Sequence, residues 1–277
     1  MSIAEYLEYG FVQRAIVAGA FIAVLCSTLG VLLVLRRLSL IGDGLAHVTF
    51  GSVALGLLFR AYPLYISLPV VMASSLGILK LMERARIYGD AAIGIVSALG
   101  IAGGVMAASI AGGFNVDLFS YLFGNILSIS VAEVYISILL TIVVLGVIVF
   151  NYHDIFSITF DEEFARAGGI NADRINTMIV LFTAVTVVLT MKVVGIMLTS
   201  ALLIFPAVTA FQVARGFKYA LLAAAASALL SVVGGIGMSL VFNLPTGASV
   251  VIVNALFFAA TFAFKHFFRD SRSRLRR

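Results

Sequence analysis

About nine apolar runs, each near 20 residues long, follow one another along this 277-residue chain with only short charged links between them. That length is what an α-helix needs to cross the hydrocarbon of a bilayer. In hydrocarbon every backbone N–H and C=O must be satisfied by the protein, which leaves helices or a closed barrel. The alternation over about 10 residues that marks a barrel strand is absent. The runs fall at approximately 11–35, 44–60, 64–81, 91–111, 131–150, 175–191, 195–214, 219–242 and 247–265. The sixth and seventh meet at Val193-Val194-Gly195, so a merged or re-entrant pair there lowers the count to eight. Composition agrees: 62% of residues are hydrophobic and 11% charged, where soluble domains have about 45–50% and about 25%. The expected fold is an all-α integral membrane protein of about 8–9 transmembrane helices, in a single domain over 1–277.

The basic residues give an orientation. With the N-terminus outside, 15 of the 18 Lys and Arg residues fall inside, and only Arg14, Arg60 and Lys192 fall outside. That asymmetry predicts the N-terminus out and the C-terminus in the cytosol. The net charge of +5 therefore marks topology, not a nucleic-acid surface. The basic tail 269–277 is expected in the cytosol, near anionic lipid. Glu5 and Glu8 stand where a cleaved signal peptide has basic residues, so the first span is expected to remain. The single Cys26 permits no intrachain disulfide.

Two connections are long enough to carry structure. The external one, 112–130, places Asn115, Asp117, Tyr121 and Asn125 among Phe and Leu, a pattern for an amphipathic helix on the membrane surface. The internal one, 151–174, contains Phe160-Asp161-Glu162-Glu163-Phe164-Ala165-Arg166-Ala167-Gly168-Gly169. Acids in a first turn, a later Arg and closing glycines are start and stop signals for a short cytosolic helix.

Catalytic patterns are missing. No glycine precedes a lysine, so the chain has no P-loop and no ATPase site of that kind. There is no His-Glu-x-x-His and no Gly-x-Ser-x-Gly. Transport is the expectation that remains.

Asp43 and His47 stand four residues apart at the head of the second span, and so share a helix face. Two readings are open. Asp43 caps the helix after Arg36-Arg37, with His47 bonded to a neighbouring helix. Or the two are metal ligands, since carboxylate oxygen and imidazole nitrogen suit Zn²⁺, Mn²⁺ or Fe²⁺. Two ligands fall short of the four that zinc prefers, and a two-fold dimer supplies the other pair. His153 and His266 read as interfacial or solvated residues. Pro206 is expected to interrupt the seventh span, as a gate or as a fixed kink. A self-contained secondary transporter or channel is the competing class. It needs further intramembrane acids, for which only Glu133 and Asp90 are candidates.

Several stretches resemble a known family. They are Arg36-Arg37-Leu38-Ser39 with Gly42-Asp43-x-Leu45-Ala46-His47, Asp117-Leu118-x-x-Tyr121-Leu122-Phe123-Gly124, Met191-Lys192-x-Val194-Gly195 with Ser200-Ala201-Leu202-Leu203-Ile204-x-Pro206-Ala207, and Leu244-Pro245-Thr246-Gly247-Ala248-Ser249. In order along the chain they look like the permease subunit of bacterial ABC importers for zinc and manganese, in wording closest to the zinc-uptake permeases. The resemblance implies a type II importer fold and a homodimer in the bacterial cytoplasmic membrane. It implies a cytosolic ATPase subunit that hydrolyses the ATP and an extracytoplasmic metal-binding protein. Zn²⁺ or Mn²⁺ is then cargo, with no resident cofactor. Asp43 and His47 match the family's path-lining Asp-x-x-x-His. The stretch 160–169 matches the coupling helix, which assigns Phe160, Asp161, Glu162, Glu163, Phe164, Arg166 and Gly168 to ATPase docking. Asn115, Asp117 and Asn125 fall on the surface expected to receive the binding protein. The chain departs from the pattern at Gly44 and at Val48-Thr49. Gly44 is expected to loosen the helix start by up to about 1 kcal/mol.

Overall fold

The computed structural model describes residues 8–111 and 129–274, without the side chains of 192, 193, 196, 197 and 266–274. Eleven helices account for nearly all of it: α1 Gly10–Leu35, α2 Ile41–Leu58, α3 Pro63–Arg84, α4 Gly89–Ile110, α5 Val131–Phe150, α6 Tyr152–Phe160, α7 Glu162–Ala167, α8 Ala172–Val194, α9 Ile196–Val213, α10 Phe217–Phe242 and α11 Thr246–Arg274. Eight are long and apolar enough to cross a membrane, and α9 adds a shorter apolar helix over Leu198–Val213. The chain is therefore a multi-pass membrane protein, with α9 as the element on which a count of eight or nine turns.

Burial sorts the helices into an inner and an outer set. The most apolar stretch of α1 is 72% buried, that of α2 61% and that of α8 56%, against 17% for α4 and 22% each for α5 and α11. Helix α1 sits against α5, α8, α9 and α10. Its side chains from Leu29 to Leu33 are almost wholly inaccessible. Lipid is as apolar as leucine, so these inner contacts rest on close packing rather than on escape from water. The pairing of α2 with α4 shows how the sequence permits it. A Cβ on Gly51 would lie 2.1 Å from the Gly100 carbonyl oxygen, so the two backbones touch only because both residues are glycine.

Tight hairpins link the inner helices. Helix α1 ends in a Schellman motif: Leu38 N donates to Leu33 O (2.8 Å) and Arg37 N to Val34 O (3.1 Å). Arg37 takes the left-handed position at φ 59°. Arg60 does the same after α2 at φ 53°. In both turns a cation stands beside the negative end of a helix dipole.

Between α8 and α9 the chain reverses on one residue. Gly195 has φ 85° and ψ 165°, a region open almost only to glycine. The Thr199 hydroxyl donates to Gly195 O (2.8 Å), and the Thr190 and Thr199 hydroxyl oxygens lie 3.1 Å apart across the break. Pro206, expected to interrupt the seventh span, does not: α9 runs unbroken through it, with Pro206 buried. Neighbours on several sides let a membrane helix carry the missing hydrogen bond. The external segment, with Asn115, Asp117, Tyr121 and Asn125, lies outside the described residues, as do Glu5 and the last three residues of the basic tail.

Candidate functional site

Helix α2 begins earlier than the sequence pattern suggested. Its N-cap is Leu40, whose side chain makes no cap, and Asp43 is the third helical residue. Ile41 N donates to Leu38 O (3.0 Å) and Gly44 N to Leu40 O (3.0 Å), so the first turn is closed by backbone alone. Asp43 is thus free of the capping role, while still placed near the positive end of the helix dipole.

Glycines flank Asp43 and bring neighbours in on both sides. A Cβ on Gly42 would meet Leu203 of α9 at 2.3 Å, and one on Gly44 would meet Ile93 of α4 at 2.5 Å. Gly44 therefore does not loosen the helix start; it is the contact with α4, and α2 runs unbroken from Ile41 to Leu58. Every residue from Ile41 to Thr49 is buried except Asp43 and His47. With half-buried Phe50 they form one open stripe at i, i+4 and i+7.

Within the stripe, Asp43 Oδ2 stands 3.6 Å from His47 Nε2, with the side chains 50% and 37% exposed. That separation is too long for a hydrogen bond. It is close to the spacing of about 3.3 Å between two ligands bound at about 2.05 Å to one tetrahedral ion. The other carboxylate oxygen, Asp43 Oδ1, accepts a 3.4 Å hydrogen bond from the Ser200 hydroxyl of α9. Ser200, Ile204 and Val208 are half-buried and continue the open surface along α9. Ser200 belongs to a stretch that resembles the family, yet nothing in the linear pattern assigns it a role. Its partner lies 157 residues away, and only the α2–α9 contact joins them. Among the described residues no group of three or more His, Cys, Asp or Glu side chains gathers in one place. The described residues of one chain therefore offer this pair and no fuller cage.

The internal connection folds as two short helices rather than one. Helix α6 ends at Phe160, and α7 follows with Asp161 as N-cap. Asp161 Oδ1 accepts from Phe164 N (2.9 Å). Glu162 and Glu163 fill the first turn and Arg166 the last, with Gly168 as C-cap and Gly169 left-handed at φ 86°. Phe160 packs with Phe156 at 4.8 Å and with Phe217 of α10 at 6.1 Å. Phe164 is 75% exposed. Arg166 Nη2 lies 2.7 Å from Glu162 Oε1 and also pairs with Asp173. These two partners raise the Arg166 guanidinium above its ordinary range, and Arg166 in turn holds the Asp173 carboxyl below its own.

A profile of the ABC 3 transport family matches residues 8–265. The chain belongs to that family. The Halalkalibacterium halodurans protein called manganese transport system membrane protein MntC is 29% identical, over 94% of this chain and 89% of its own. The Haemophilus influenzae protein called high-affinity zinc uptake system membrane protein ZnuB is 30% identical, over 88% of this chain and 94% of its own. Among solved structures, PsaBC from Streptococcus pneumoniae in complex with Fab superposes with a TM-score of 0.83 at 27% identity, covering 94% of this chain and 95% of that one.

As an ABC 3 family permease, the chain is the membrane subunit of a transporter whose ATP hydrolysis belongs to another subunit. The acids that a self-contained transporter would have needed are used otherwise. Glu133 forms a capping box with Ser130: Glu133 Oε2 accepts from Ser130 N (2.9 Å) and Ser130 Oγ from Glu133 N (3.3 Å). Asp90 sits in the first turn of α4 and accepts from Ala91 N (2.9 Å). His153 packs edge-on against Tyr152 at 5.6 Å, away from α2. The His266 side chain lies outside the description.

Proposed function

We propose that this permease imports a divalent transition metal, zinc or manganese, along a path lined by Asp43 and His47. The observation that carries the reading is their spacing on a stretch, Ile41 to Thr49, that is otherwise buried: 3.6 Å apart, too far for a hydrogen bond and open on one side. A polar pair left open among apolar helices costs free energy unless something binds it. Carboxylate and imidazole donors suit both ions, and relatives named for manganese and for zinc stand at 29% and 30% identity. The proposal therefore takes in both metals.

Two copies of the chain, related by a two-fold axis, bring two Asp43 and two His47 side chains to one ion. Such a shell is strong enough to replace hydration, and weak enough to release once the helices tilt. Ser200 holds Asp43 from behind and fixes which oxygen faces the ion. The orientation is N-terminus out and C-terminus in the cytosol, in the bacterial cytoplasmic membrane, on the positive-inside distribution. Helix α7 then faces the cytosol. Its exposed Phe164, with Phe160, Asp161, Glu162, Glu163, Arg166 and Gly168 around it, meets the ATPase. The surface holding Asn115, Asp117 and Asn125 receives an extracytoplasmic metal-binding protein. Pro206, six residues beyond Ser200, leaves one backbone hydrogen bond of the unbroken α9 unmade, a point at which that helix can bend to gate the path.

Uptake of radiolabelled zinc and manganese by cells carrying Asp43→Ala or His47→Ala tests the reading. Loss of a group that merely supports a metal ligand costs about 10–100-fold, so each variant is expected to lose at least about tenfold with insertion and ATPase binding intact. Unchanged uptake of both ions in both variants would sink the ligand role.

A further inference from the structure

Arg36 is a half-buried cation with no ion-pair partner among the described residues. It caps α1, and its guanidinium reaches two other elements. Nη1 donates to Asn176 Oδ1 of α8, and Nε and Nη2 each donate to Thr159 Oγ1 of α6 at 3.4 Å. The Thr159 hydroxyl spends its own proton on Ile155 O (2.6 Å), so it faces Arg36 as an acceptor. No acidic group of the described residues pairs with Arg36. Glu162 acts on it through space but is itself engaged by Arg166 at 2.7 Å. Burial lowers the Arg36 pKa to about 10, against the pull of Glu162. A guanidinium held by neutral oxygens alone is a poor way to gain stability. What the arrangement supplies is geometry, since a planar fork spans acceptors on two elements at once and an ammonium does not.

The backbone position gives that geometry a use. Arg36 is the first residue of the turn between α1 and α2, and that turn is closed by hydrogen bonds from Arg37, Leu38 and Ile41. Asp43 follows two residues after Ile41. On the other side, Thr159 is the penultimate residue of α6, next to the Asp161 cap of α7. A cavity of about 430 Å³ lies between these parts, lined in part by Arg36, Glu83, Thr159, Glu162 and Asn176. It leaves room for the α6–α7 arm to shift against the bundle.

We infer that Arg36 is a positioning residue that transmits movement of the α6–α7 arm into the α1–α2 hairpin carrying Asp43 and His47. This rests on the import function proposed above. When the arm is displaced, Thr159 moves with it, and the guanidinium follows or lets go. Either response changes the pull on a turn that leads directly into the helix carrying Asp43 and His47.

The test reconstitutes the permease in liposomes with its ATPase subunit and its metal-binding protein and measures metal taken up per ATP hydrolysed. Networks of this kind modulate coupling by roughly two- to thirtyfold. Arg36→Lys keeps the charge and removes the fork. It is expected to lower uptake per ATP within that range while ATP hydrolysis stays within about twofold of wild type. Thr159→Val, which removes one acceptor at nearly constant volume, is expected to shift the ratio in the same direction and serves if Arg36→Lys does not assemble. An unchanged ratio in both variants would overturn the inference. So would equal losses of uptake and hydrolysis, the mark of a residue that only holds the fold. Failure of the import reading itself looks different: the wild-type complex then hydrolyses ATP and accumulates neither metal.

Discussion

The head of α2 and the α6–α7 arm are mirror images in what they leave unsatisfied. Around Asp43 the apolar contacts are complete. Gly42 and Gly44 draw Leu203 and Ile93 up to the backbone, and the polar pair alone stays open. On the arm the polar groups at the helix ends are paired: Asp161 caps α7, Asn171 caps α8, and Arg166 is shared between Glu162 and Asp173. There aromatic rings stay open, Phe164 most of all at 75% exposure and Phe160 at 60%. Each region exposes what its surroundings solvate worst. Open polar side chains among membrane helices suit an ion, and an open aromatic ring beside water suits another protein.

Beyond the uptake losses expected of Asp43 and His47 variants, Gly44→Leu should break the α2 side of this contrast most severely. Its side chain would drive into Ile93. Overpacking of this kind costs about 1–3 kcal/mol, so thermal unfolding in detergent should fall accordingly and uptake with it. A variant as stable as wild type would show that α2 and α4 are not closely packed at Asp43. Phe164→Ser should do the opposite on the arm. Stability should change by no more than about 0.5 kcal/mol, while capture of the ATPase subunit weakens about five- to tenfold. Full capture would remove Phe164 from the docking surface.

The smallest effect concerns the ion pairs of the arm. Arg166 lowers the pKa of Asp173 in the folded state. The contribution of Asp173 is therefore fully present above the ordinary carboxyl value of about 3.9. It is lost as pH falls through the lowered value. Amide exchange over 162–174, corrected for intrinsic rates, should show the arm opening more at about pH 3 than at about pH 6. Asp173→Asn should remove that added opening. An identical acid response in the variant would place the acid sensitivity elsewhere.

Local signals were the ones the sequence carried well. The spans were legible because each is a continuous apolar run, and the Asp43–His47 face because four residues make about one helical turn. The α7 boundaries were legible because Asp161 and Gly168-Gly169 are start and stop signals in themselves. What escaped depends on distant neighbours. Asp43 resembles an N-cap until the backbone of Leu38–Gly44 shows that α2 has already begun. Gly44 resembles a weak point until Ile93 is placed against it. Pro206 resembles a break until α9 is seen to continue through it. Ser200 and Arg36 gain their meaning from partners more than 100 residues away.

The central claim, that two chains share one ion through Asp43 and His47, is tested most directly by cobalt(II) as a spectroscopic stand-in for zinc in the purified permease. One cobalt ion per two chains, with visible bands of a tetrahedral nitrogen and oxygen site that vanish in both Asp43→Ala and His47→Ala, is the expected result. One ion per chain, or a spectrum indifferent to both substitutions, would contradict it.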